Sequence, residues 1–275
     1  MRRKTLTGLA ALLSHSLATA APPPTPLTPT GPWNVEFADS MCLLGRPFGP
    51  DRASHLILKP AMLGNSLEII VTRATSRVDA VRFGEAKLLI EGRPSSAESH
   101  FTAYNTRKGR VLRISIKEDT LALAAVRGTL AIDAKREGRY AFAIPGIDRA
   151  LPILSNCLDQ LRTAWKVSKT DLAMIVTQPE PKPGGDLPRL FSSKDYPDEA
   201  IRTRQGGTVG VLVWIEATGR ISTCQVIESS VVPVLDKTTC DILIKRGRFT
   251  PAKDSAGRSV RAPSFTRVRW AIPQF

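Results

Sequence analysis

The string Gln178-Pro179-Glu180-Pro181-Lys182-Pro183-Gly184-Gly185 divides this chain of 275 residues. Proline fixes φ and has no backbone donor, so neither a helix nor a central strand can run through prolines at alternate positions. The stretches on its two sides are therefore expected to fold as separate units. A second such string, Pro22-Pro23-Pro24-Thr25-Pro26-Leu27-Thr28-Pro29-Thr30-Gly31-Pro32, holds six prolines in eleven residues. It favours extended polyproline II, with a reach of about 35 Å at roughly 3.1 Å per residue, and residues 21–32 read as a stiff spacer.

Residues 1–20 read as an export signal. Arg2-Arg3-Lys4 is a positive start, Leu6 to Leu17 is mostly apolar, and Ala18-Thr19-Ala20 is a small-x-small cleavage pattern. The apolar stretch contains Ser14, His15 and Ser16 and is shorter than the ~20 residues a spanning helix needs. Cleavage after Ala20 is expected, leaving a soluble periplasmic chain. The alternative is a retained segment that anchors the chain in the inner membrane. No later stretch is apolar enough to span a bilayer.

Four cysteines, Cys42, Cys157, Cys224 and Cys240, suit an oxidising compartment. None lies in a CxxC and no histidine-rich spacing accompanies them, so no metal or other cofactor is expected. Four cysteines allow three connectivities. Keeping each bridge inside one folding unit selects Cys42–Cys157 and Cys224–Cys240, with two buried free thiols as the alternative for the second pair.

The net charge of +14 divides into +3 for residues 1–20, +5 for 21–186 (22 basic, 17 acidic) and +6 for 187–275 (14 basic, 8 acidic). With no long single-sign run, a solvated arginine-rich surface accounts for it. The functional alternative is weak contact with anionic membrane surfaces or acidic protein segments. Nucleic acid is excluded as a partner, because export removes the chain from it and no binding motif is present.

Residues 33–175 read as a β-rich domain closed by a helix. Apolar segments at Leu56 to Leu58, Leu67 to Val71, Lys87 to Ile90, Val111 to Ile116, Thr129 to Ile132 and Tyr140 to Ile144 are separated by turn residues, as consecutive strands are. Leu151, Leu154, Leu158, Leu161 and Trp165 then recur at helical spacing, which places Pro152 in a first turn. Cys157 borders that stripe, which suits a bridge to Cys42.

After a linker over 176–188, residues 189–275 show helix, hairpin, helix and final strand. Pro197-Asp198-Glu199-Ala200-Ile201 opens a short helix, with Pro197 at the first helical position and its acids at the positive end of the dipole. Val209, Val211, Val213 and Ile215 alternate with Thr208, Gly210, Leu212 and Trp214 as a strand. Thr218-Gly219-Arg220 turns the chain, and Ile221 to Glu228 returns as a hairpin partner. Pro233 to Arg246 forms a second helix, with Leu235, Thr239 and Ile242 on one face. Ser264 to Ile272 is the last strand. Thr266, Val268, Trp270 and Ile272 should face the helices, with Phe265, Arg267 and Arg269 opposite. Pro263 and Pro273 at its ends point to a sheet edge. The fold class is α+β.

Within this region the run Tyr196-Pro197-Asp198-Glu199-Ala200, then Gly207-Thr208-Val209-Gly210-Val211, Thr218-Gly219-Arg220, Ser229-Ser230, Leu235-Asp236 and Arg248-Phe249-Thr250-Pro251-Ala252, resembles the C-terminal domain of the TonB family over Leu187 to Phe275. One departure is Val231, where the family usually has glycine after the Ser-Ser pair. The Pro-Glu-Pro-Lys-Pro string is similar to TonB spacers but far shorter. The resemblance implies that the last strand captures an extended segment of an outer-membrane TonB-dependent receptor, or of another periplasmic protein. The implied dock is Thr266, Arg267, Val268, Arg269 and Trp270, with Arg267 and Arg269 available to acidic side chains.

Three function classes are open. A TonB-type partner of outer-membrane transporters rests on motif order. An unpowered periplasmic adaptor rests on the extra domain at 33–175. An enzyme is not expected, because GxSxG, HExxH and P-loop patterns are absent and only His55 and His100 lie beyond the signal.

Overall fold

The computed structural model describes residues 24–272, except 51–52, 65, 77–78, 91–92, 95–98, 118–120, 122–125 and 183–186. The export signal and the start of the first proline string lie outside the described residues.

Consecutive antiparallel strands build the N-terminal half. They are β1 (Asn34–Ala38), β2 (Met41–Phe48), β3 (Ser54–Pro60), β4 (Ser66–Arg73), β5 (Arg82–Ile90), β6 (Ser99–Thr106), β7 (Gly109–Lys117), β8 (Thr129–Asp133) and β9 (Arg139–Ala143). Their order in the sheet is β1-β2-β3-β4-β7-β6-β5-β8-β9. The sequence segments expected as strands all lie within β3, β4, β5, β7, β8 and β9, Ile144 alone falling just past β9. β1, β2 and β6 have no counterpart among those segments.

The first proline string is not a free spacer where it is described. Leu27 bridges to Phe142 on β9 and Pro29 bridges to Phe48 on β2. Leu27 N donates to Ala141 O at 2.8 Å, and Thr30 N donates to Pro47 O at 3.0 Å. This strap joins β9, at one end of the sheet, to β2, next to the other end, and so closes the sheet into a barrel. The interior is filled with side chains rather than hollow. Leu44, Phe48, Leu56, Leu58, Ile69, Leu112, Ile114, Leu130, Ile132 and Phe142 are all fully buried, each worth about 1.5–3 kcal/mol in removed apolar surface. Phe48 and Phe142, the partners of the strap, meet edge to face at 4.9 Å.

Helix α1 (Ile147–Ala164) packs on β2 through Leu154, Cys157 and Leu158, with Trp165 buried at its end. Cys157 is disulfide-bonded to Cys42. Pro152 lies in the second turn rather than the first, because the helix starts at Ile147 on Gly146. It sits on the exposed side, where water can satisfy the carbonyl its missing donor leaves.

The C-terminal half holds α2 (Asp198–Arg202), β10 (Gly207–Ile215), β11 (Ile221–Glu228), α3 (Pro233–Arg246) and β12 (Ala262–Trp270). The three strands are ordered β11-β10-β12, all antiparallel. Val209, Val211, Val213, Ile215 and Val268 pack with Leu235, Ile242 and Leu243 of α3 in one core. Cys224 on β11 is disulfide-bonded to Cys240 on α3. The last strand begins two residues earlier than expected and ends at Trp270, so Ile272 is beyond it and 42% exposed. Pro263 lies inside this strand opposite Trp214, which an edge position tolerates.

The other sheet face is covered too. Leu212 belongs to the barrel's own core cluster, and Trp214, Ile227 and Phe265 pack against it. Phe265 stacks on Trp165 with ring centroids 5.3 Å apart. Residues 176–182, expected as a spacer, lie along the C-terminal half. Glu180–Pro181 pairs with Phe249–Thr250, and Val176 N donates to Lys253 O at 2.8 Å. The two halves thus share an apolar contact and a pinned connection.

Candidate functional site

The motif residues act together at two turns. At the first, Gly219 takes φ +80°, and a Cβ there would overlap the Phe249 carbonyl oxygen. Phe249 N donates to Gly219 O at 2.8 Å. The hairpin turn therefore needs a glycine so that Arg248 to Ala252 can lie against it. At the second, Asp236 near the start of α3 accepts from Ser230 N at 2.9 Å, Ser230 Oγ at 2.7 Å and Ser229 Oγ at 2.5 Å. Burial opposes ionisation of Asp236, and these donors outweigh it, so its pKa lies below the ordinary value. Val231, between them, takes φ +61° with its side chain 88% exposed. A left-handed backbone is where glycine is favoured, which explains the residue the family usually carries there.

A third group anchors the end of β12. Tyr196 is buried and donates to Gln205 O at 2.8 Å, and its ring meets Trp270 edge-on at 5.3 Å. Trp270 Nε1 donates to Thr239 Oγ1 at 2.8 Å, and Thr239 donates to Leu235 O at 2.8 Å. Gly206 lets the Trp270 backbone approach, since a Cβ would stand 2.7 Å from its carbonyl oxygen. Pro197 precedes α2 as its N-cap rather than as its first residue, and Asp198 and Glu199 fill the first turn.

Among the described residues β12 pairs only with β10, so its outer edge carries unpaired backbone groups. The five expected dock residues sit on it in sequence. Val268 and Trp270 turn their side chains into the helix-side core and offer only backbone. Thr266 is half-buried opposite Val211, and Arg269 is exposed opposite Thr208.

Arg267 is engaged within the chain. Its guanidinium donates from Nε and Nη2 to Glu228, both at 2.6 Å, and from Nη2 to Ser40 Oγ at 2.9 Å. Ser40 also donates to Glu228. The Glu228 hydrogen bonds raise the Arg267 pKa above its ordinary value. Sequence reasoning missed Glu228 and Ser40. The one available signal was Gly210 in mid-strand, since a strand glycine marks a close approach.

Residues 192–272 match the family described as Gram-negative bacterial TonB protein C-terminal. The C-terminal domain is of the TonB C-terminal family. The motif resemblance and the matched segment coincide, and the α+β order of the domain is the expected one, preceded by a β-rich half. A domain of this family is that of an envelope protein linked to transport. No curated protein matches the chain.

Outside this domain, Arg110 is buried and donates to both carboxylate oxygens of Glu137, at 2.7 and 3.0 Å, and to Asn105 Oδ1 at 2.7 Å. That cluster holds β7 to the turn before β9. His55 and His100 are exposed on different strands, β3 and β6. Among the described residues no cluster of three or more His, Cys, Asp or Glu could hold a metal, and no helix is long and apolar enough to cross a membrane.

Proposed function

We propose that this is a periplasmic binding protein that captures extended segments of outer-membrane receptors, or of other envelope proteins, by strand addition to β12. The observation that carries this is the open outer edge of β12 in a TonB C-terminal domain whose strand end is locked by Trp270 and Thr239. An incoming strand would gain main-chain hydrogen bonds along Thr266 to Trp270, so affinity depends on backbone geometry more than on one side chain. Arg269, exposed on this strand, supplies the charge for an acidic partner, while Arg267 serves the domain contact.

The adaptor reading, without coupling to a proton-driven motor, is favoured over the energised one by the barrel. Its core shares Leu212 and Phe265 with the domain, and residues 176–182 are hydrogen-bonded along 248–253. A long flexible reach from an anchor is not what this arrangement offers.

Titration of the intact protein with peptides from receptor N-termini, read by amide chemical shifts, tests the proposal. Shifts centred on 262–270, abolished by Val268→Pro, are expected. Shifts clustered elsewhere, or none at millimolar peptide, would overturn it.

A further inference from the structure

Beside the open edge of β12 lies a cavity of about 300 Å³ that neither half forms alone. Pro263, Phe265 and Arg267 of β12 line one side, and Lys59, Met62 and Leu63 of the barrel line the other. We infer that the barrel is the second wall of the strand-binding groove, and that this cavity takes one apolar side chain of an acid-flanked incoming strand. The inference rests on the strand-addition reading and adds to it what the partner must look like.

The pleat supplies the geometry. Side chains of β12 alternate, with Val268 and Trp270 on the helix side and Phe265 and Arg267 on the barrel side. A strand paired to the outer edge continues that alternation, so every second side chain points to the barrel. There it meets the chain between β3 and β4, where Met62 and Leu63 are apolar and continuous with the barrel core. The volume admits a leucine or methionine side chain, which would be partly withdrawn from water. Charge sets the flanks. Arg267 and Lys59 at the cavity are already paired with Glu228 and Glu68, so the charge left for a partner is that of Arg269, exposed further along the strand in a domain with 14 basic against 8 acidic residues. An acidic residue next to the apolar one is the complement.

The test uses the intact protein with both disulfides formed and acetylated octapeptides Glu-Thr-Thr-Xaa-Thr-Val-Thr-Glu, with glycine, alanine, leucine or phenylalanine at Xaa. The leucine peptide should bind about tenfold or more tighter than the glycine peptide, as burial of one aliphatic side chain requires. Its amide shifts should include 60–63 as well as 262–270. Ala61→Phe, which fills the cavity, should remove the leucine advantage and leave glycine-peptide affinity unchanged. Leu63→Ala, a milder change, should move the preference toward phenylalanine. Equal affinity for all four peptides, with shifts on 262–270 and none on 60–63, would overturn the inference and leave strand addition standing. No shift on 262–270 with any peptide would overturn both.

Discussion

Arg267 and Glu228 meet across the bare backbone of Gly210, which is opposite both of them in the sheet. A Cβ at position 210 would stand 2.5 Å from Glu228 Oε2 and 2.9 Å from its Cβ. The carboxylate tip could swing aside, but the Glu228 Cβ is fixed by the strand. Gly210→Ala should therefore push the pair apart and cost about 1–3 kcal/mol, as forced packing does. Thermal unfolding of the variant checks this, and an unchanged melting temperature would show that the cross-strand pair has room to spare.

Val231 is the opposite case, a side chain where glycine fits better. A non-glycine residue in the left-handed region costs about 1–2 kcal/mol, of which glycine's extra chain entropy returns about 0.5–1. Val231→Gly should raise stability by up to about 1 kcal/mol, or a melting shift of roughly 2–4 °C for a chain of this size. A fall in melting temperature would mean that the exposed valine makes a contact of its own.

These two positions show what was legible. Val209 to Ile215 alternate so cleanly that β10 and its buried face follow from the pattern, and the helical spacing of Leu154, Leu158 and Trp165 gives α1. β2 was hidden because Gly45-Arg46-Pro47 interrupts its apolar run. The strap was hidden because Leu27 and Pro29 sit among prolines whose pairing partners, Phe142 and Phe48, are distant in sequence. The five residues expected as a dock were legible as one strand. That Arg267 is held by Glu228 and Ser40 was not, since separations of 39 and 227 residues leave no local pattern.

Acid sensitivity should come from the C-terminal domain. Asp195 accepts from Arg246 at 2.6 and 2.7 Å and from Ser192 N and Oγ, both at 2.8 Å. The Arg246 hydrogen bonds hold its carboxyl well below the usual range, and Asp236 is lowered as well. A depressed carboxylate adds stability above its unfolded value of about 3.9 and loses it as pH falls through the folded value. Stability should be flat near neutral pH and decline below about pH 4. Asp195→Asn should lower stability at pH 7 and flatten that decline, measured by urea unfolding at several pH values. An unchanged acid limb would place the titrating group elsewhere.

The two disulfides close loops of different size, with sequence separations of 115 and 16 residues. Chain entropy assigns about 4.7 kcal/mol to a bridge of the first kind and about 3 kcal/mol to one of the second. Replacing Cys42 and Cys157 by serine should lower the melting temperature more than replacing Cys224 and Cys240. The reverse order would mean that native packing around Cys224, not loop closure, dominates.

The central claim is that β12 is a template for an added strand, and amide hydrogen exchange of 262–270 in the intact protein tests it most directly. With a receptor N-terminal fragment present, alternate amides on the outer edge of β12 should become protected while those bonded to β10 stay as they were. Unchanged exchange along β12 in a complex that demonstrably forms would contradict the account.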